Sequence, residues 1–113
     1  MKAKEALDFC NKWLPNGTGN NPSALVEFYS ENAFYRDPAN TDGLRGHSQI
    51  LPYFEKLLAA NPNWRWEPLE IFPTDKGFVA KWKATIPVGS EVIIESGIDI
   101  VEIERGKVTR NEV

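Results

Sequence analysis

The spacing of apolar side chains divides this chain into a helical first half and a second half of β-strands. Apolar residues recur at helical intervals over residues 3–14 and again from Ile50 onward, which predicts two amphipathic helices. The sequence Pro15-Asn16-Gly17 ends the first of them. The other begins at about Ser48, because Pro52 is tolerated only within a first helical turn.

A shorter helix is predicted between these two. Asn21 followed by Pro22 has the form of an N-cap with proline at the first helical position. The buried face of this helix is supplied by Leu25, Phe28 and Tyr29. The chain then runs through an extended aromatic segment, residues 33–37, and a loop that Asp42-Gly43 and Gly46 mark.

Beyond Trp64 the apolar period becomes two, which is typical of half-buried strands. Residues 78–88 show it most clearly, since an apolar side chain stands at every even position. Turn signals predict hairpins that link four strands, at about residues 64–73, 78–88, 91–103 and 107–113. Helices followed by a meander of strands indicate a single α+β domain over residues 1–113, with three N-terminal helices on a curved antiparallel sheet.

The predicted strand 91–103 is largely apolar on both faces. Its even-numbered face carries Val92, Ile94, Ile98 and Ile100. Its odd-numbered face adds Glu95, Gly97 and Asp99 to the apolar residues Ile93, Val101 and Ile103. One face meets the helices, and the parity leaves open which. The other needs a cover, so we expect a homodimer through the sheet, with Lys81 and Lys83 in or near the interface.

Composition and charge narrow the functional classes. The chain has 113 residues, a net charge of −3 and no basic run, so we expect neither nucleic acid nor an acidic membrane surface as a partner. The longest apolar-rich run, residues 92–103, contains three acidic side chains and predicts no membrane span. The single cysteine, Cys10, excludes an internal disulfide. Since no apolar signal segment follows Met1, a reducing, cytoplasmic location is expected.

Several short motifs occur in a recognisable order. They are Tyr35-x-Asp37-Pro38-Ala39, Leu44-x-Gly46-His47, the helix from Ile50, Trp82, Gly97-x-Asp99-Ile100-Val101-Glu102 and Gly106-Lys107-Val108. By their order and spacing the chain resembles, over about residues 3–113, the SnoaL-like, ketosteroid-isomerase-like branch of the nuclear transport factor 2-like superfamily. The resemblance implies a cystatin-like cone of helices on a curved sheet, which encloses an apolar pocket and is often dimeric through the sheet.

The resemblance also bounds the function. Relatives include ketosteroid isomerase, polyketide cyclases, limonene epoxide hydrolase and scytalone dehydratase, whereas others are transport or association modules without chemistry. Many members continue the last strand into an aromatic pair and an aspartate. Any family role of that aspartate has no counterpart in the residues up to Val113.

Two aspartates are candidate acid or base groups. Tyr35 and Asp37 share one face of an extended segment, so a phenol and a carboxylate reach the pocket if that face points inward. The alternative is an Asp-Pro turn whose carboxylate caps backbone N–H groups. Asp99 interrupts a strand of β-branched residues, and the pattern alone leaves it facing the pocket, solvent or a dimer partner. The resemblance places Asp99 in the pocket, where SnoaL-like cyclases hold their acid/base aspartate and where burial raises the pKa.

Aromatic side chains are the candidate substrate wall. Trp82 and Phe78 lie on the apolar face of strand 78–88, and Trp64 and Trp66 lie in the preceding strand. Core filling is the alternative role for each of them. We expect a closed pocket of at least about 300 Å³ between the third helix and the sheet.

The remaining polar residues receive supporting roles. A buried Asp99 needs a partner, for which the candidates are Tyr35, Tyr53 and Arg110. His47, the only histidine, is expected to act structurally at the start of the third helix. Cys10 is expected to be an inert buried thiol. No His, Cys or carboxylate set has metal-ligand spacing, so we expect no metal.

Together these features predict a small-molecule isomerase, cyclase or hydrolase that acts by aspartate general acid/base catalysis on an apolar substrate. Asp99 is the leading acid or base, Asp37 and Tyr35 orient substrate or water, and Tyr53 joins the tryptophans and Phe78 in binding substrate. Such proton transfers need no cofactor. The alternative is a non-catalytic ligand-binding or association module on the same fold. Two inward-facing titratable side chains favour the enzyme, whereas a pocket plugged by its own aromatic side chains favours the module.

Overall fold

A six-stranded sheet forms the framework of the protein, and helices cover one of its faces. The computed structural model describes residues 1–113. Its helices are α1 (Ala3–Trp13), a 3-10 turn (Leu14–Gly17), the five-residue α2 (Pro22–Val26) and α3 (His47–Ala60). Its strands are β1 (Tyr29–Asp37), β2 (Asn40–Arg45), β3 (Arg65–Pro73), β4 (Gly77–Val88), β5 (Glu91–Glu104) and β6 (Lys107–Glu112). None of the helices is long and apolar enough to cross a membrane.

The two long helices and the four C-terminal strands agree with the sequence prediction to within one residue at each end. Strands β3 to β6 form the expected antiparallel meander. The full order in the sheet is β2-β1-β6-β5-β4-β3. The prediction of an α+β fold is therefore confirmed, whereas the expectation of three substantial N-terminal helices holds only in part.

The second predicted helix is shorter than expected. Asn21 caps it, since its side-chain oxygen accepts a hydrogen bond from the Ala24 N–H at 3.2 Å. It ends at Val26, and Tyr29, which was expected on its buried face, is the first residue of β1 instead. The extended backbone lets the buried Tyr29 ring pack edge-on against Phe54 of α3, with the ring centroids 5.4 Å apart.

The expected loop after β1 is an edge strand, and the sheet is mixed rather than purely antiparallel. Gly43 is tolerated in β2 because the ring of Phe34 occupies the space where a side chain would stand. Strand β1 pairs in parallel with β6, so that Tyr29 lies opposite Val108. This pairing joins segments from the two ends of the chain, which local periodicity does not encode.

The core lies between the helices and the inner face of the sheet. Helix α1 contributes Ala6, Cys10 and Trp13, and α3 contributes Ile50, Phe54 and Leu58. The sheet contributes Phe78, Ala80, Val101 and Val108. Burial of one such large apolar side chain stabilises the fold by about 1.5–3 kcal/mol. Within this core, Phe54 packs against Tyr29 and Tyr35, which fixes α3 against β1.

The structure decides which face of β5 points inward. Asp99 and Val101 are buried on the inner, odd-numbered face. Four aliphatic side chains of the even-numbered face are 37–60% exposed on the outside of the sheet: Val92, Ile94, Ile98 and Ile100. Lys81 lies directly opposite Ile98 on this outer face. A homodimer through the outer face stays a prediction.

Candidate active site

A cavity of about 230 Å³ lies between the helices and the inner face of the sheet. Twelve of its sixteen lining residues are hydrophobic, and its carboxylates are those of Asp37 and Asp99. The cavity is smaller than the 300 Å³ or so that was expected. It is also not closed, because its wall includes the partly exposed rings of Trp64 and Trp66.

The position of the Trp82 side chain depends on Gly97. Trp82 on β4 lies directly opposite Gly97 on β5, and a Cβ atom at Gly97 would overlap the Trp82 ring. The ring therefore lies across the bare backbone of β5. From there its Nε1–H donates a 2.6 Å hydrogen bond to Oδ1 of Asp99, two residues beyond Gly97.

The Asp99 carboxylate is buried and only partly satisfied. It is 5% exposed, and it accepts one hydrogen bond on each oxygen, from Trp82 and from Nδ2 of Asn111 at 2.9 Å. An ionised carboxylate has about four acceptor positions, so two remain free. Burial raises the pKa of Asp99 to about 6, and the negative charge of Asp37 adds to this effect. The hydrogen bonds from Asn111 and Trp82 oppose it.

A chain of hydrogen bonds orients Asn111 toward Asp99. An indole N–H can only donate, so Trp13 Nε1 donates to the Tyr29 hydroxyl oxygen, 3.3 Å away. The Tyr29 hydroxyl in turn donates to Oδ1 of Asn111 at 2.7 Å. Only the amide NH₂ of Asn111 is then left to face Asp99. Burial and the nearby charge of Asp99 both raise the pKa of Tyr29, which keeps its proton in place.

The Asp37 carboxylate, unlike that of Asp99, is surrounded by hydrogen-bond donors. Its Oδ2 accepts hydrogen bonds from the hydroxyls of Tyr35 at 2.8 Å and Tyr53 at 2.5 Å. Its Oδ1 accepts from the backbone N–H groups of Ala39 and Asn40 and from the Asn40 side chain, at 2.9–3.0 Å. Burial alone would raise the pKa of Asp37, but the hydrogen bonds from Tyr53, Asn40 and Tyr35 outweigh it and hold the pKa below its ordinary value. Asp37 is therefore a saturated, ionised carboxylate.

Comparison with known proteins agrees with this architecture. The SnoaL-like domain family matches residues 14–111. The chain belongs to the SnoaL-like family. No protein of curated function matches the chain in sequence. The other similar proteins of this SnoaL-like domain come from a comparison with solved structures.

Three structural neighbours share the fold. A SnoaL-like protein of unknown function from Burkholderia thailandensis has a TM-score of 0.81 at 13% identity, over 99% of this chain and 95% of that one. A hypothetical protein with a ketosteroid isomerase-like fold from Catenulispora acidiphila, in complex with trimethylamine, has a TM-score of 0.79 at 15% identity, over 93% of this chain and 82% of that one. The epoxide hydrolase/cyclase-like enzyme SalBIII, of pyran ring formation in salinomycin, has a TM-score of 0.79 at 18% identity, over 96% and 88%.

Most of the predicted site residues line the cavity of this SnoaL-like domain. Those that do are Asp99, Asp37, Tyr35, Trp82, Trp66 and Trp64. The two alternatives for Asp37 hold together, since its carboxylate both lines the cavity and caps the turn that follows it. Tyr53 does not line the cavity but donates to Asp37.

Four expected contacts are wrong. Phe78 is fully buried in the core, where its ring packs against Phe9 and Trp13 instead of lining the cavity. It shares a face with Trp82, but four residues of strand place it about 13 Å away, under α1. Neither Tyr35 nor Tyr53 binds Asp99, because both donate to Asp37. Arg110 is directed to Glu102 and Glu112 and not to Asp99.

The sequence analysis missed the residues that hold Asp99 in place. Asn111 has no role in the sequence prediction, although a buried amide needs hydrogen-bond partners. Tyr29 and Trp13 were assigned to apolar helix faces, and only the structure shows their polar ends in one chain of hydrogen bonds. Gly97 belongs to one of the sequence motifs, but only the structure shows that its missing side chain makes room for the Trp82 ring.

His47 and Cys10 lie outside the cavity chemistry. His47 is the first residue of α3, and its Nε2 lies 2.7 Å from the backbone oxygen of Tyr29. The structural role is confirmed, although the partner is a carbonyl of β1 and not a helical N–H. Cys10 is buried, and burial together with the charge of Asp99 raises the pKa of its thiol to about 11. No group of three or more His, Cys, Asp or Glu side chains is arranged to hold a metal ion.

Proposed function

We propose that this SnoaL-like domain is a small-molecule enzyme in which Asp99 transfers a proton to or from an apolar substrate held in the cavity. The observation that carries the proposal is the Asp99 carboxylate itself. It is buried in an apolar wall, its pKa is raised to about 6, and half of its acceptor positions are free. A group of this kind can act as a base or an acid near neutral pH.

Asp37 is less suited to the same work. Five donors surround its carboxylate, and they hold its pKa below the ordinary value. A proton transferred to Asp37 would have to displace one of these donors. Asp37 and Tyr35 are therefore proposed to form a fixed polar part of the wall, in which the Tyr35 oxygen keeps a free lone pair for a substrate or water hydrogen.

The two donors to Asp99 support a reversible proton transfer. Hydrogen bonds from Trp82 and Asn111 stabilise the ionised form that accepts the proton. Burial stabilises the neutral form that returns it. The two effects hold Asp99 close to the midpoint, where a proton can move in either direction at low cost. An isomerase, cyclase or hydrolase would use such a group, and the epoxide hydrolase/cyclase-like description of SalBIII adds epoxide opening to the reactions worth testing.

The experiment uses solvent deuterium as a general probe of proton transfer. The protein is incubated in deuterated buffer with a panel of apolar ketones, β-diketones and lactones, and deuterium incorporation is followed by mass spectrometry. Wild type is compared with Asp99→Asn, which removes the basic oxygen, and with Asp8→Asn, which makes the same change at an exposed position on α1. We expect the exchange rate with the best substrate to fall at least about a hundredfold in Asp99→Asn and to stay unchanged in Asp8→Asn.

The pH profile of exchange adds a second criterion. Exchange in the wild type should rise with pH through about 6, the pKa of the group that must be ionised to act as base. Exchange that survives in Asp99→Asn would overturn the assignment of the catalytic group. Compounds that bind the cavity without any exchange would favour the alternative, a non-catalytic binding module on the same fold.

A further inference from the structure

The charges around the cavity point to the class of compound that it accepts. We propose that the ligand carries a positively charged, alkyl-substituted nitrogen, which sits among the aromatic rings with Asp99 as its counter-charge. This inference names the substrate class of the same cavity and so rests on the proposed function. It narrows the apolar substrate of that proposal to one whose alkyl groups surround a charged nitrogen.

The first argument is the sign of the charge in the wall. Asp37 and Asp99 both line the cavity, and no lysine, arginine or histidine does. The hydrogen bonds to both carboxylates come from phenols, amides and an indole, so neither forms an ion pair. The charge of Asp37 also acts unfavourably on ionised Asp99. A cation near both carboxylates would offset this repulsion. A neutral ligand would displace water from the cavity and leave the repulsion without compensation.

The second argument is the aromatic character of the rest of the wall. Six of the lining residues present indole or phenol rings: Trp13, Trp64, Trp66, Trp82, Tyr29 and Tyr35. Trp64 and Trp66 form a tilted pair with centroids 6.0 Å apart. Aromatic rings around a desolvated cation attract it through their negative faces, and tryptophan does so most strongly. A wall made only to hold hydrocarbon has no need of this bias toward indole rings.

The third argument is the free acceptor capacity of Asp99. Its carboxylate is 5% exposed and lines the cavity, and two of its about four acceptor positions have no donor within the protein. A buried anion without a counter-charge is costly. An alkylated ammonium supplies the counter-charge and meets the carboxylate through the polarised C–H groups next to its nitrogen, so it needs no N–H. Its alkyl groups fill an apolar space of about 230 Å³. A metal ion, by contrast, would meet mostly ring carbon.

The test compares a cation with its neutral isostere. The pair is choline and 3,3-dimethyl-1-butanol (called dimethylbutanol below), in which a carbon atom replaces the nitrogen. The two compounds have nearly the same shape and differ in charge. Their affinities are measured by calorimetry at fixed ionic strength and neutral pH. We expect the wild type to bind choline at least about tenfold more tightly than dimethylbutanol. The preference should fall to about one in Asp99→Asn and persist in Asp8→Asn, whose carboxylate is exposed and remote from the cavity.

The outcomes separate this inference from the proposed function. Equal or tighter binding of dimethylbutanol by the wild type would overturn the cation inference, and so would failure of choline to bind at all. In both cases Asp99-dependent deuterium exchange on neutral ketones would leave the proposed function standing. The wild-type comparison needs no variant, so the inference remains testable even if Asp99→Asn does not fold.

Discussion

Replacement of Asp99 by asparagine should remove a pH-dependent destabilisation of about 3 kcal/mol. The pKa of Asp99 is raised from its ordinary value of 3.8 to about 6, and its side chain is almost completely buried. At 1.36 kcal/mol per unit of pKa, that difference corresponds to about 3 kcal/mol between the two protonation states. The cause is the desolvation of a carboxylate to which only two donors offer hydrogen bonds.

The sign follows from the direction of the shift. Below pH 3.8 Asp99 is protonated in both the folded and the unfolded chain, so the desolvation of its charged form costs nothing there. As pH rises, the unfolded chain loses this proton first. The folded state therefore loses stability through the window from about 4 to about 6, and the loss is complete above the folded pKa.

The asparagine itself introduces a cost that does not depend on pH. Its oxygen can accept from only one of Trp82 and Asn111, and its NH₂ group faces the other donor. An unsatisfied buried donor costs about 1–3 kcal/mol. At neutral pH this cost offsets much of the gain, so the two proteins should differ little in stability there. The informative quantity is the change in their difference with pH.

The assay is urea unfolding at a series of pH values from about 4 to 8, for wild type, Asp99→Asn and the exposed control Asp8→Asn. Relative to Asp99→Asn, the wild type should lose about 2.5 kcal/mol across this range, because Asp99 of the unfolded chain is already partly ionised at pH 4. The free energy of unfolding of the control Asp8→Asn should change with pH nearly as that of the wild type does. Parallel curves for wild type and Asp99→Asn, or a difference that moves in favour of the wild type as pH rises, would refute the assignment of Asp99 as a desolvated carboxylate.

Two further predictions follow from the sheet. A methyl group in Gly97→Ala should displace the Trp82 ring, remove its hydrogen bond to Asp99 and cost about 1–3 kcal/mol of stability; an unchanged Trp82 indole N–H resonance in the NMR spectrum would contradict this. The outer face of β5 should form a homodimer, so light scattering should give about twice the 12.8 kDa chain mass, and Ile98→Glu should halve it. A wild-type particle of one chain mass at micromolar concentration would exclude the dimer.

Much of the fold could be predicted from the sequence because it rests on local periodicity. The helical spacing in α1 and α3 and the alternation in β4 reflect which side chains the core buries, and these elements were predicted to within a residue. Strand β2 was missed because its glycine and aspartate resemble a loop. It is a strand because it pairs with β1, and the Phe34 ring of β1 packs over Gly43.

The candidate site could be predicted only in part, for a related reason. Sequence and resemblance together placed Asp99 in the pocket, and Trp82 followed from strand alternation. The partners of Asp99 depend on which strands are neighbours and in what register. Asn111 faces Asp99 because β6 lies beside β5 and its amide is held by Tyr29, 82 residues earlier in the chain. No pattern within one segment contains that information.

The contrast between the two aspartates follows from where their donors lie along the chain. Asp37 takes its donors mainly from its own turn, from Ala39 and Asn40 within three residues and from Tyr35 two residues away. A turn can place several donors around one carboxylate, and the Tyr53 hydroxyl of α3 completes the set around Asp37. Asp99 stands in β5, with β4 on one side and β6 on the other.

A carboxylate in the middle of a sheet has fewer possible donors. The backbone N–H groups beside Asp99 belong to the sheet ladder, so its donors are side chains. Here each flanking strand supplies one donor, Trp82 from β4 and Asn111 from β6. The remaining acceptor positions can be satisfied only from the cavity. An inward-facing aspartate on a central strand is therefore the position where this fold can keep a buried carboxylate available to a ligand, whichever reaction that ligand undergoes.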